Sequence, residues 1–147
     1  MFKTLAKTLL LVVGFFGVNQ AVLADNMRKF DNLEVHYIGL PSIILQPNIA
    51  KTYGIERSRY NGFVNISVLD SSVEGKPALN VGLSGTAINL AGQRIALDFD
   101  KITEGKAIYY IAQLKYTDQE IIKFELLIND NGKQHTLKFQ QKFYVEE

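Results

Sequence analysis

The sequence predicts an all-β fold: an immunoglobulin-like β-sandwich of about seven antiparallel strands with one short helix. Three observations carry that expectation. Beyond an apolar leader, segment after segment alternates apolar and polar residues at period two, the pattern of a half-buried strand. Turn clusters rich in Asn, Asp, Gly and Pro recur between those segments. Only one stretch, residues 47–53, is bracketed as a helix would be. A small closed barrel shares these features, because alternation does not distinguish the two.

The chain has 147 residues, 47% hydrophobic and 21% charged, values of an ordinary folded domain rather than a disordered one. Residues 1–24 read as a secretory signal peptide. Lys3 and Lys7 form its positive start, residues 9–18 its apolar centre, and Val22-Leu23-Ala24 a small-residue cleavage site before Asp25. The competing reading is a retained anchor, since the uncharged run over 8–24 sits at the lower limit of ~17–25 residues for a spanning helix. Asn19 and Gln20 interrupt its end, which favours cleavage. Residues 25–147 then form a single domain with no membrane insertion after cleavage, in the periplasm of a two-membrane cell. Removing the leader leaves 14 basic residues against 15 acidic ones. A balance so near zero lacks the one-signed field that nucleic acid or an anionic membrane demands. The chain contains no cysteine, which excludes disulfides, thiol nucleophiles, thiolate zinc and iron–sulfur sites.

Taken in order, residues 25–32 are polar and expected as a loose arm. Leu33, Val35 and Tyr37 then share one face, opposite Glu34 and His36. Pro47 suits a first helical position, where its missing N–H costs nothing. Gly54 suits the residue past the end, where a left-handed backbone is required. Ile49, Ala50 and Tyr53 must seat so short a helix on a sheet, although Gln46 is a poor N-cap. Residues 62–69 (GFVNISVL) are apolar on both faces and read as a central strand, with Asn65 a polar exception expected to bond a neighbouring loop. Residues 79–90 are extended but broken at Gly82 and Gly85, the sign of bulges or close packing. Residues 94–100 alternate with Ile95, Leu97 and Phe99 inward, and 107–114 with Ile108, Tyr110, Ala112 and Leu114 inward. Residues 121–129 and 134–144 pair through Asn129-Asp130-Asn131-Gly132, a strong hairpin signal.

Several side-chain groups invite chemistry. His36 and His135 both lie in strands and could share a metal, but each falls on the polar side of its alternation. Asp98, Asp100 and Glu104 gather near one strand end; without a facing partner across a cleft they read as solvated charges. Ser58, Ser67, Ser71, Ser72 and Ser84 stand in no nucleophile elbow, and the phosphate-loop and dinucleotide fingerprints are absent. The sequence therefore points away from an enzyme and calls for no cofactor and no metal. The surface that stands out is Tyr53, Arg57, Arg59 and Tyr60, a mix of tyrosine and arginine enriched at protein interfaces. The plainer alternative has Arg57 pairing locally with an acid and Tyr53 packing the helix down.

The blocks EVHY (34–37), LQP…YGIERS (45–58), NISVL (65–69), NLAGQ (89–93), EGKAIYYIA (104–112) and FQQKFY (139–144), in this order and spacing, resemble the domain of unknown function family 4426, small exported proteins of gammaproteobacteria. The resemblance covers nearly all of the chain beyond the leader. It implies a secreted β-domain and no particular activity. The resulting expectation is an exported, non-enzymatic interaction or accessory module of the cell envelope, its partner an unidentified envelope protein and its oligomeric state open. The alternative is a small-molecule or peptide binder using the groove between helix and sheet.

Overall fold

A computed structural model describes residues 26–145; the expected leader lies outside them. The strands are β1 (Met27–Phe30), β2 (Leu33–Pro41), β3 (Asn61–Asp70), β4 (Gly82–Ile88), β5 (Arg94–Leu97), β6 (Asp100–Glu104), β7 (Ala107–Lys115), β8 (Glu120–Asp130) and β9 (Lys133–Phe143). A 3-10 turn (Ser42–Ile44) and one α-helix, α1 (Pro47–Thr52), lie between β2 and β3. One sheet has the order β1-β2-β3-β7-β6 and the other β5-β4-β8-β9. Every pairing is antiparallel. This is the immunoglobulin arrangement, in which β2-β3-β7-β6 stand as A-B-E-D and β5-β4-β8-β9 as C′-C-F-G.

Alternation explains the core. Val64, Ile66 and Val68 of β3 and Tyr110, Ala112 and Leu114 of β7 form the inner face of one sheet. Phe124, Leu126 and Ile128 of β8 and Leu137 and Phe143 of β9 form that of the other. Phe124 stacks on Phe139 and meets Phe143 edge-on. Each fully buried side chain of this size contributes ~1.5–3 kcal/mol by leaving water. Gly85 of β4 sits tightly against its neighbouring strand β8: a Cβ there would lie 2.4 Å from Leu126 Cδ2 and 2.9 Å from the Glu125 carbonyl. The glycine break in 79–90 thus reflects close packing.

Helix α1 covers the outer face of the first sheet. Leu45, Ala50 and Ile55 pack there against Phe63 and Ile111, with Ile49, Tyr53 and Ile102 around them. The groove expected between helix and sheet is filled by these side chains. Gly54 adopts φ +68° and the Ile55 N–H closes back on the Ala50 carbonyl at 2.8 Å. The helix ends one residue earlier than expected, with Tyr53 as its cap, and Gln46 makes no side-chain cap bond.

Four expectations need correction. Residues 27–30 are no loose arm but strand β1, paired Met27↔His36 through Phe30↔Leu33; an edge strand needs one partner and little apolar content. Residues 94–100 are not one strand. The chain leaves the second sheet after Leu97 and enters the first at Asp100, a change of layer that alternation cannot register. Ile95 does lie on the inward side, level with Ala87, yet remains 48% exposed because it lines an open cavity rather than closed core. Asn65 places its Oδ1 in a buried position with no hydrogen-bond partner, rather than on a loop backbone.

Candidate functional site

The β2–β3 connection, residues 42–60, is braced from within. Ser42, fully buried, donates its hydroxyl to the Ser58 carbonyl at 3.0 Å and accepts the Ser58 N–H at 2.9 Å. Arg57 donates from Nε to the Leu45 carbonyl at 2.8 Å and from Nη2 to the Ile43 carbonyl at 3.2 Å. Buried Asn61 donates to the Glu56 carbonyl at 2.8 Å and to Gln113 Oε1 at 3.0 Å. Gln113 in turn accepts the Glu56 N–H and donates to the Gly54 carbonyl. The Tyr60 carbonyl accepts the Tyr116 N–H at 3.0 Å, which ties the connection to the end of β7. A connection of this length would otherwise lose its shape to conformational entropy; each of these bonds supplies ~0.5–1.5 kcal/mol against that loss.

The four residues singled out in the sequence separate into two roles. Tyr53 donates its hydroxyl to the Glu104 carboxylate on β6, and Arg57 holds backbone carbonyls; both fasten the connection. Glu56 pairs instead with Lys115 at 2.6 Å. Arg59 and Tyr60 face solvent, with the guanidinium 5.9 Å from the ring centroid and Tyr60 51% exposed. Burial, and then the bond to Glu104, holds the Tyr53 phenol well above its ordinary pKa. Burial chiefly, with the Glu104 charge added, does the same for Tyr109. Tyr53, its phenol protonated and bonded to Glu104, seats the helix, and neither phenol is activated as a nucleophile.

Strand ends place more at this end of the sandwich. Pro41 pairs with Gly62, Asn61 with Lys115, Ile88 with Arg94 and Lys123, and Glu120 with Phe143. The 42–60 connection, the 89–93 turn, the 116–119 connection and the residues after β9 therefore share it. An open cavity of about 260 Å³ lies here. Its floor is Ala87, Ile95, Leu114, Tyr116 and Ile122, and its rim Asn89, Gln93, Lys115, Thr117 and Glu120. After β9, Tyr144, 52% exposed, carries the Lys142 ammonium 5.4 Å from its centroid. The cavity was not signalled by sequence spacing, since its lining comes from strands remote in the chain.

The other candidate groups stay apart. His36 donates from Nε2 to the Glu34 carboxylate at 3.0 Å, while His135 rests against the Phe30 ring at 5.2 Å. Among the described residues no three His, Cys, Asp or Glu side chains are grouped to hold a metal ion. Asp98 and Asp100 are exposed, and Glu104 is taken up by Tyr53. Glu34, expected on a solvated face, is only 4% exposed: Lys76 Nζ covers it at 3.1 Å. Among the described residues no helix is long and apolar enough to cross a membrane.

These features define an immunoglobulin-like sandwich whose singular surface is a braced connection and an open end. The chain belongs to the DUF4426 family, a domain of unknown function whose model matches residues 27–146. A crystallised DUF4426 protein of Pseudomonas aeruginosa PAO1 is similar at 30% identity and a TM-score of 0.71, over 82% of this chain and 95% of that one. FetP of uropathogenic Escherichia coli strain F11 is similar in fold alone, at 14% identity and a TM-score of 0.58. That likeness is seen for a copper-bound FetP variant over 82% of this chain and 95% of that one. It is seen equally for FetP as isolated after expression in the periplasm, over 82% and 94%. No curated protein matches.

Proposed function

We propose that the chain is an exported, non-enzymatic module of the cell envelope that works in the periplasm through protein contacts centred on Arg59 and Tyr60. The observation that carries this reading is the way those two side chains are presented. Tyr60 is half exposed with Arg59 stacked on it, while the backbone beneath is fixed by Ser42, Arg57 and Asn61. An aromatic–arginine pair on a backbone already ordered loses little entropy on binding, which is how a few residues come to dominate an interface. The apolar leader in the sequence and the periplasmic expression of FetP support the compartment.

The test is photo-crosslinking in living cells. A benzophenone side chain in place of Tyr60 should trap a specific envelope protein. The same group in place of Val73, exposed in the β3–β4 connection at the other end of the sandwich, should trap none. Equal capture from both positions, or none from Tyr60 at normal expression, would overturn the reading.

A further inference from the structure

Among the described residues the two sheets leave four edge strands, β1, β6, β5 and β9. An edge presents unpaired N–H and C=O groups and accepts another strand unless charge or cover prevents it. Of these edges β5 alone has three successive exposed residues, Arg94, Ile95 and Ala96. Leu90, in the turn that leads into it, is 72% exposed, and Ile95 opens onto the cavity.

The turn sets the hydrogen-bond phase of this edge. The Asn89 N–H donates to the Gln93 carbonyl at 3.1 Å, and the register runs on through Ile88↔Arg94, Ala87↔Ile95 and Thr86↔Ala96. Alternate pairs of an antiparallel ladder exchange hydrogen bonds. Ile95 and Leu97 therefore turn their backbone groups toward β4, while Arg94 and Ala96 turn theirs to the open side.

Charge selects what can pair there. When a strand pairs antiparallel with its own copy, the head of one meets the tail of the other. β1 carries Arg28 and Lys29, and β9 carries Lys133, Lys138 and Lys142, with no acid on either. β6 has an acid at each end, Asp100 and Glu104. Paired head to tail, none of these sets opposite charges together, and like charges directly opposite are destabilising. β5 differs. Arg94 begins it, and Asp98, exposed and in no ion pair among the described residues, follows its last residue. The two stand equally far from Ala96.

We propose that β5 pairs antiparallel with β5 of a second copy of this chain, about a two-fold axis at Ala96, and so joins two four-stranded sheets edge to edge. In this register the outward groups of Ala96 meet those of Ala96 in the second copy, and Arg94 of each chain meets Asp98 of the other. Arg94 already holds Glu125 at 3.2 Å; a guanidinium has five N–H donors and serves both acids. On the inner side Ile95 lies opposite Leu97 of the second copy, which covers a side chain left 48% exposed by this chain alone. A two-fold contact must be self-complementary in this way. Stable interfaces bury ~1,200–2,000 Å²; an edge of four residues buries less, so the dimer dissociates on dilution. The contact uses neither Arg59 nor Tyr60 and stands apart from the preceding reading.

The chain has no cysteine, so Ala96→Cys introduces a sole thiol. Hydrogen-bonded antiparallel partners have Cα atoms ~5.5 Å apart, within the ~4.4–6.8 Å that a disulfide spans. Exported to an oxidising compartment, this variant should be recovered as a disulfide-linked homodimer, and Thr136→Cys, exposed on the β9 edge, as a monomer. Sedimentation of the cysteine-free protein should show a reversible dimer as its concentration rises to about 1 mM. Arg94→Glu and Asp98→Lys should each weaken self-association at least tenfold. An equal mixture of the two should restore it, because every head-to-tail contact then sets opposite charges together, and that recovery also shows both chains to be folded. A parent protein monomeric at the highest concentration, or single variants that dimerise like the parent, would overturn the proposal. So would a mixture that stays monomeric while both chains give native spectra, equal crosslinking from Thr136→Cys, or capture of Ala96→Cys by another envelope protein in place of its own copy.

Discussion

Ser42→Ala tests whether the connection that presents Arg59 and Tyr60 is rigid for the reason given. The Ser42 hydroxyl is fully buried and bonds both polar groups of Ser58, at 2.9 and 3.0 Å. Removing it does not cost two equal bonds. The Ser58 carbonyl still accepts the Asn61 N–H at 3.1 Å, whereas the Ser58 N–H loses its acceptor in a site water does not reach through Ser42. An orphaned buried donor costs about 1–3 kcal/mol, so the expected loss is roughly 2 kcal/mol, near the middle of that range. For a domain of this size that lowers Tm by roughly 6–10 °C. Urea unfolding reads the stability, and amide exchange reads its location: Ser58, Tyr60 and Asn61 should exchange faster while the β8–β9 ladder is unchanged. Ser84→Ala, an exposed serine on β4, should stay within ~0.5 kcal/mol as the control. A Ser42→Ala protein equally close to the parent, with unaltered exchange at Ser58, would refute the bracing argument and with it the claim that Tyr60 is pre-ordered.

Two further predictions rest on separate parts of the fold. The Glu34 carboxyl is held below its ordinary pKa, first by the His36 hydrogen bond and then by Lys76 against the opposing cost of burial. A depressed carboxylate stabilises the fold above its unfolded pKa of ~4.3, and that stability is lost as pH falls through the folded value. Glu34→Gln should therefore destabilise at pH 7 by about 1–2 kcal/mol, since its partners remain half in solvent, and should flatten the acid limb of a stability–pH curve. An acid limb identical to the parent's would count against the pairing. Gly85→Ala should lower stability by about 1–3 kcal/mol through overpacking, because the added Cβ meets the Glu125 carbonyl at 2.9 Å as well as the movable end of Leu126. Chemical denaturation checks this, and a neutral or stabilised variant would show that β8 gives way beside Gly85 more easily than these distances imply.

Much of the architecture was legible because strand alternation is a local property. Residues 62–69 carry apolar side chains on both faces and do lie between β2 and β7; Asn129-Asp130-Asn131-Gly132 does join β8 to β9, with Asn131 at φ +51°. Pro47 and Gly54 did delimit the helix to within a residue. The site was less legible. Tyr53 and Arg57 look the same in sequence as Arg59 and Tyr60, and only their surroundings decide that the first two brace the fold and the second two meet solvent. The open cavity gave no signal, because its lining joins β4, β5, β8 and the end of β7, which are far apart in the chain.

What the sequence by itself determined is therefore the list of strands with an apolar face, the one helix and its limits, the absence of cysteine chemistry, and the family. These follow from periodicity, backbone preference and composition, which act over a few residues. What only the tertiary structure decided is which end of the sandwich is open, that Ile95 is inward yet uncovered, that Glu34 is buried, and which members of the Arg–Tyr group are free. Those outcomes depend on how far one layer extends over the other, and on contacts between residues tens of positions apart. No local pattern encodes them.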